Sequence, residues 1–185
     1  MSATTGQIVR WEILKGLPGE GPTPLHFHTG LPTPWAEGFV VRFWNEDETE
    51  WVGNFQGRQD WSTKILLWPE AQSIVVLAMD NFYLVDAVKP DSYVTLESFA
   101  LVDNLMLGDE NRLLFVAEST AVHAFDRERR LLWSRRIVNG YDLQLTRCAD
   151  GVLVVDVERE LGGPRREIHI STKDGTALYS TLLLG

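Results

Sequence analysis

The segment AVHAFDRERRLLWSRR, residues 121–136, decides the fold. Apolar residues dominate its first five positions, a charged stretch follows, and a second apolar run leads to Trp133. This pattern is typical of two short antiparallel strands joined by a tight corner. If it recurs about every forty residues, the chain is a repetitive array of small sheets and not an ordinary sandwich.

The pattern does recur along the chain. Aromatic residues stand at Trp51, Tyr93, Trp133 and Tyr179, separated by 42, 40 and 46 residues. Before the last three of them, short apolar strands precede a turn and a second, fully apolar strand, which gives four strands in each repeat. The predicted repeats are 7–55, 62–98, 101–138 and 142–184.

We therefore predict an all-β chain, a single domain over residues 1–185, with four repeated antiparallel four-stranded sheets. The arrangement is expected to be β-propeller-like, either four-bladed and closed within one chain or a half propeller completed by a homodimer, because open sheet edges must be covered. The first repeat is irregular, since residues 16–38 hold several prolines and glycines. A β-sandwich with similar hairpins is the alternative.

The stretch VHAFDRERRLLW resembles the degenerate blade repeat of quinoprotein-like (PQQ-like) and WD40-type β-propellers, of the kind found in bacterial proteins. Ala124, Asp126 and Trp133 match an Ala-x-Asp turn followed by a tryptophan. The resemblance implies that this tryptophan docks between neighbouring blades. The Thr-Gly of the usual corner is replaced by charged residues, so the resemblance concerns the fold and implies no cofactor.

Charge and cysteine content exclude several classes of protein. The chain has 17 Lys and Arg against 26 Asp and Glu, a net charge of −9, which disfavours nucleic acid and favours a basic protein partner. Its one cysteine, Cys148, excludes an internal disulfide and fits a reducing, cytoplasmic location. The start lacks the pattern of a signal peptide, and the longest apolar runs are of strand length, so no membrane span is expected.

Candidate catalytic residues are few. His26 and His28 are two residues apart, which on a strand would place both imidazoles on one face, as a metal site requires. No third ligand follows at a suitable spacing, and Cys148 has no neighbouring His. We predict no catalytic residues, no metal and no cofactor, and a surface or packing role for the two histidines.

The predicted partner-binding residues lie in the first repeat, which carries the long insertion. They are Trp35, Trp44, Glu46, Asp47, Glu48 and Glu50. Tryptophans beside charged residues are typical of binding hot spots, and loops tolerate insertion better than strands do. A second charged cluster, between Arg127 and Arg136, could bind carboxylates, but such a run is more typical of a solvated strand edge.

These observations favour a non-catalytic protein-binding or scaffolding module. Two alternatives stay open: an immunity or antitoxin protein that neutralises a basic toxin, and a metal-dependent enzyme that uses His26 and His28.

Overall fold

The computed structural model describes residues 8–30, 37–57, 63–79, 81–96, 102–108, 110–138, 140–159 and 162–182. The chain divides into two compact units, Met1–Phe99 and Ala100–Gly185. Each unit contains two four-stranded sheets, so the predicted all-β class with four sheets is confirmed. The only helical turn among these residues is the 3-10 turn Pro69–Ala71, and no helix there has the length and apolar character needed to cross a bilayer.

The first unit holds sheets one and two. Sheet one contains β1 (Ile8–Leu14), β2 (Leu25–Phe27), β3 (Phe39–Asn45) and β4 (Glu50–Phe55). Sheet two contains β5 (Lys64–Trp68), β6 (Ser73–Ala78), β7 (Asn81–Asp86) and β8 (Tyr93–Thr95).

The second unit holds sheets three and four. Sheet three contains β9 (Val102–Gly108), β10 (Leu113–Glu118), β11 (Ala121–Phe125) and β12 (Leu131–Arg136). Sheet four contains β13 (Tyr141–Ala149), β14 (Val152–Glu158), β15 (Arg165–Ser171) and β16 (Ala177–Leu182).

Sheet one differs from the other three in its topology. Sheets two, three and four are antiparallel meanders in which consecutive strands pair. In sheet one the order is β1-β3-β4-β2, and the short strand β2 pairs parallel with β4, with Leu25 opposite Gly53 and Phe27 opposite Phe55. The long insertion between β1 and β3 explains the difference, because parallel pairing needs a longer connection than a hairpin.

Aromatic rings fill the core that sheets one and two share. Phe27 stacks on Phe55 with ring centroids 4.4 Å apart, and Phe43 stacks on Trp51 at 4.3 Å. Tyr93 of β8 meets the edge of Phe27 at 5.1 Å, which joins the two sheets. Each such pair adds about 0.5–1.5 kcal/mol beyond the apolar area that it buries.

Sheets three and four share a second, mainly aliphatic core, and Trp133 is its largest connecting side chain. Trp133 is 9% exposed, and its indole N–H donates to the carbonyl oxygen of Thr172, after β15, at 2.9 Å. Gly175 has a φ of +72°, and a Cβ atom there would lie 2.8 Å from the Trp133 ring. The ring therefore lies against backbone of the next sheet.

The four recurring aromatic residues do not occupy equivalent places. Trp51 lies on β4, an inner strand of sheet one, whereas the other three lie on β8, β12 and β16, each an outer strand of its sheet. In sheet three, Trp133 pairs with Ala124 and the next residue, Ser134, pairs with His123. In sheet four, Tyr179 pairs with His169, which is the counterpart of His123. Tyr179 therefore occupies the register of Ser134, one residue along from the docking position. The predicted equivalence is wrong in this respect, because a shift of one residue turns a side chain to the opposite face.

Candidate partner-binding surfaces

The corner between β3 and β4, residues 45–50, is a hydrogen-bonded turn. The Asn45 N–H donates to the Thr49 carbonyl at 2.9 Å, and the Glu48 N–H donates to the Asn45 carbonyl at 3.0 Å. Glu48 has a φ of 65°, a left-handed conformation that ends the turn. We call residues 45–50 the acidic corner.

Side chains tighten the acidic corner. The Asn45 amide donates to the Thr49 hydroxyl at 2.8 Å, and that hydroxyl donates to the Asp47 carboxylate at 2.5 Å. The Thr49 N–H also donates to Asp47, at 3.1 Å. The bond from the Thr49 hydroxyl, together with that from its N–H, holds the pKa of Asp47 below its usual range. The carboxylate is therefore fixed in position as well as charged.

The carboxylates of the acidic corner differ in exposure. Glu46, Asp47 and Glu48 are exposed at the tip. Glu50 is half-buried at the start of β4, and its Oε2 atom lies 3.9 Å from the Arg42 Nε atom. The structure thus presents three adjacent carboxylates to solvent, with a fourth close to a guanidinium.

Trp44 lies beside the corner but is half-covered. The guanidinium carbon of Arg10, its cross-strand partner on β1, lies 3.9 Å from the Trp44 ring centroid, and that of Arg42 lies 5.8 Å away. One position over the ring is therefore taken by a cation, an interaction of about 0.5–1 kcal/mol at an exposed site. Trp35, the other predicted aromatic, lies outside the described residues.

The two histidines of the first unit have separate hydrogen-bond partners. His26 is exposed on β2, and its Nδ1 lies 3.1 Å from the side-chain nitrogen of Asn54, which makes it an acceptor. His28 follows the strand, and its Nδ1 lies 2.6 Å from the Gly30 carbonyl oxygen, which makes it a donor. Among the described ranges, no group of three or more His, Cys, Asp or Glu side chains comes together in a way that could hold a metal ion.

A chain of three polar side chains in sheet three was missed by sequence reasoning. The His123 Nε2 atom lies 2.8 Å from Glu118, and its Nδ1 atom lies 2.8 Å from the Ser134 hydroxyl. His123 is 9% exposed, and the three residues come from three adjacent strands. Only the strand register brings them together, so no local sequence signal could reveal them.

Sheet four contains a related histidine, His169, with a carboxylate beside it. His169 takes the same place there, with Nε2 3.4 Å from Glu167. Opposite it stands Tyr179 in place of Ser134, with the two rings stacked 3.9 Å apart. The hydroxyl does not recur, and the carboxylate comes from the histidine's own strand, β15, whereas Glu118 lies on the strand next to that of His123. The two sheets share only a buried histidine whose ring nitrogen has a carboxylate partner, which satisfies a buried polar group and needs no nucleophile.

Comparison with known proteins bears on the fold. No protein-family model matches the chain, and no curated protein matches it at a significant level. Among solved structures, the WD40 domain of Toxoplasma gondii coronin is similar, with a TM-score of 0.53 at 15% identity over 78% of this chain and 42% of that one. Hydrazine synthase from Kuenenia stuttgartiensis matches with a TM-score of 0.54 at 13% identity, over 88% of this chain and 49% of that one.

These matches assign a WD40-type β-propeller-like fold. The chain spans less than half the length of either solved chain. At such low identity the likeness concerns the fold alone, because one fold serves many unrelated functions.

Proposed function

We propose that this chain is a non-catalytic protein-binding module and that the acidic corner, with Trp44 beside it, is part of its partner-binding surface. The observation that carries the proposal is the row of three exposed carboxylates, Glu46, Asp47 and Glu48, at the tip of an internally hydrogen-bonded turn. A turn that is already ordered loses little conformational entropy when a partner binds.

The chemistry of the corner favours a basic partner. The net charge of −9 attracts cationic proteins over a distance, which raises the association rate more than the final affinity. At contact, arginine side chains of the partner could form paired hydrogen bonds with Glu46 and Glu48, neither of which forms an ion pair with another of the described residues. A basic toxin would meet the same requirements, so the immunity alternative uses the same surface.

Trp44 is proposed to contribute apolar area at the edge of this surface. Its ring is half-buried, with Arg10 over it, so it is held in place before a partner arrives. A pre-positioned tryptophan is typical of an interface hot spot. Trp35 belongs to the same proposal on the sequence argument.

The wider assignments are proposals as well. The quinoprotein-like interpretation of the repeat is supported by Ala124, Asp126 and the contact of Trp133 with the next sheet. A cytoplasmic location is supported by the single cysteine, and a homodimer by the need to cover open sheet edges.

The first prediction tests the acidic corner with a short fluorescent peptide rich in lysine and arginine. We expect the wild-type chain to bind it with an affinity that falls as salt rises, and we expect Glu46→Gln with Glu48→Gln to weaken binding about tenfold. Fluorescence anisotropy measures both effects.

The matched control is Glu20→Gln with Glu110→Gln. It removes the same charge from two exposed positions, and Glu110 has a positive φ of 58°, near the 65° of Glu48. Equal weakening in both double variants would mean that net charge alone attracts the peptide, and the corner would not be the site.

A further inference from the structure

A groove opens in the second unit between β12, the edge strand of sheet three, and the last two strands of sheet four. Its volume is about 340 Å³, and the side chains of Ile137 and Ile168 are among those that line it. Arg135, Arg136 and Arg166 line it as well, and no acidic residue does so in the described part of the chain. We call this feature the basic groove.

The three arginines of the basic groove lack carboxylate partners. Elsewhere in this unit Arg130 pairs with Asp126 at 2.6 Å, and Arg165 pairs with Asp142 at 2.8 Å. Within the described ranges no ion pair joins a carboxylate to Arg135, Arg136 or Arg166. In a chain with nine more acidic than basic residues, three unpaired guanidiniums in one groove are a local reversal of charge.

Arg166 also carries an unsatisfied buried donor. Its Nη2 atom donates to the Val138 carbonyl at 3.2 Å, but its Nε atom is buried and has no acceptor. A buried donor without a partner is destabilising. A carboxylate is the acceptor that matches the planar fork of an arginine side chain.

Apolar surface accompanies the charge. Tyr179 lines the groove and is 56% exposed, and Val138 is 73% exposed. Ile137, by contrast, is 5% exposed at the inner side. Arginine and tyrosine beside a small apolar depression form the composition that protein interfaces favour at their energetic centres.

We propose that the basic groove binds an acidic segment of a partner protein in an extended conformation. Carboxylates of the segment pair with Arg135, Arg136 and Arg166, and an aliphatic side chain between them packs against Ile137 and Ile168. Both walls end in edge strands, β12 and β16, a setting that suits an extended chain. A protein segment is favoured over nucleic acid because the net charge of −9 repels a long polyanion.

The test uses a labelled peptide with alternating Glu and Asp around one Leu, and a second peptide in which Gln and Asn replace the acids. We expect the intact chain to bind the acidic peptide and not the neutral one. Arg135→Gln with Arg136→Gln should weaken binding at least about tenfold, the loss expected for two charge-assisted contacts.

The matched control is Arg127→Gln with Arg147→Gln, which removes two exposed charges of the same unit that do not line the groove. Its affinity should change by less than about twofold, as for surface charges outside a site. Circular dichroism of both variants verifies that the sheets are retained, and a folded groove variant that binds like wild type would overturn the proposal.

Four other outcomes of the binding experiments would overturn the proposal or identify a different occupant of the groove. Failure of the acidic peptide to bind, or equal binding of the neutral peptide, rules out the groove as a carboxylate site. A single-stranded oligonucleotide that binds more tightly, and loses affinity in the groove variant, identifies a phosphate site instead. A dimer that dissociates in the groove variant identifies the occupant as a second copy of this chain. Because the acidic corner is a different surface, the basic-peptide test can fail or succeed independently.

Discussion

Trp133 connects sheets three and four by two contacts, one made by its apolar ring and one by its indole N–H. The ring lies against Gly175, where a Cβ would approach to 2.8 Å, and the N–H satisfies the Thr172 carbonyl. Neither contact tolerates a substitute easily, since Gly175 combines a positive φ with close contact to the ring.

We predict that Trp133→Phe lowers the free energy of unfolding by about 2 kcal/mol, since it removes a buried hydrogen bond and leaves a small void. Urea unfolding followed by circular dichroism measures the change. The control is Trp44→Phe, at a half-buried ring for which no hydrogen bond of the indole is found, where we expect a loss below about 0.5 kcal/mol. Similar losses in both variants would contradict the special role of Trp133.

Sequence reasoning succeeds at Trp133 and fails at Tyr179 for one physical reason. Spacing along the chain identifies where an aromatic strand falls, and β8, β12 and β16 each carry one. Which face it occupies depends on register, and bulges after Ala124 and His169 shift the register locally. A shift of one residue is invisible in spacing but reverses the face.

At the scale of the element, the β11–β12 hairpin depends on Asp126. Its carboxylate accepts from the Arg130 N–H at 2.9 Å and from the Arg130 guanidinium at 2.7 Å. Burial alone would raise the pKa of Asp126, but the hydrogen bonds and charge of Arg130 outweigh it and hold the pKa below the usual value of 3.8. Because the Arg130 side chain is 71% exposed, solvent weakens the pair.

We predict that Asp126→Asn reduces stability near neutral pH by about 1 kcal/mol, since the amide cannot form the charged bonds to Arg130. A lowered folded-state pKa stabilises the protein above the usual value of 3.8, which applies to the unfolded chain, and this contribution disappears as pH falls through the folded-state value. The gap between variant and wild type should therefore close as the pH falls from neutral through the folded-state pKa of Asp126.

Urea unfolding across that pH range checks the hairpin prediction, with Asp91→Asn as the control at an exposed turn residue. The control should change the free energy of unfolding by less than about 0.5 kcal/mol, as expected for an exposed surface substitution. A constant gap for Asp126→Asn at every pH would mean that its packing, and not its charge, matters.

Other elements show where sequence reasoning reaches its limit. Apolar runs such as IVVLAM at 74–79 and VLVVDV at 152–157 coincide with β6 and β14, because buried strands are recognisable from composition alone. The parallel strand β2 was not expected, since it has three residues and follows a loop rich in proline and glycine. The link from Glu118 through His123 to Ser134 depends on pairing across three strands and has no local signature.

At the scale of the whole molecule, charge is distributed more unevenly than the composition indicates. The total of −9 predicts an acidic surface, and the exposed acidic corner fits it. The basic groove could not be predicted in this way, because Arg135 and Arg136 are distant in sequence from Arg166 and meet only where β12 lies near β15. The net charge determines the electrostatic potential far from a protein, whereas binding at a contact surface depends on the sign of the charges at that surface.

The last prediction concerns duplex DNA, which the whole-molecule charge should exclude. The three arginines of the basic groove could neutralise at most about three phosphates, which limits the salt slope to about −2.7 and leaves little affinity at physiological salt against a net charge of −9. Fluorescence anisotropy with a labelled duplex should therefore show no binding at about 0.15 M salt. Binding that persists there, and that Arg135→Gln with Arg136→Gln abolishes, would show that local charge outweighs net charge in this chain.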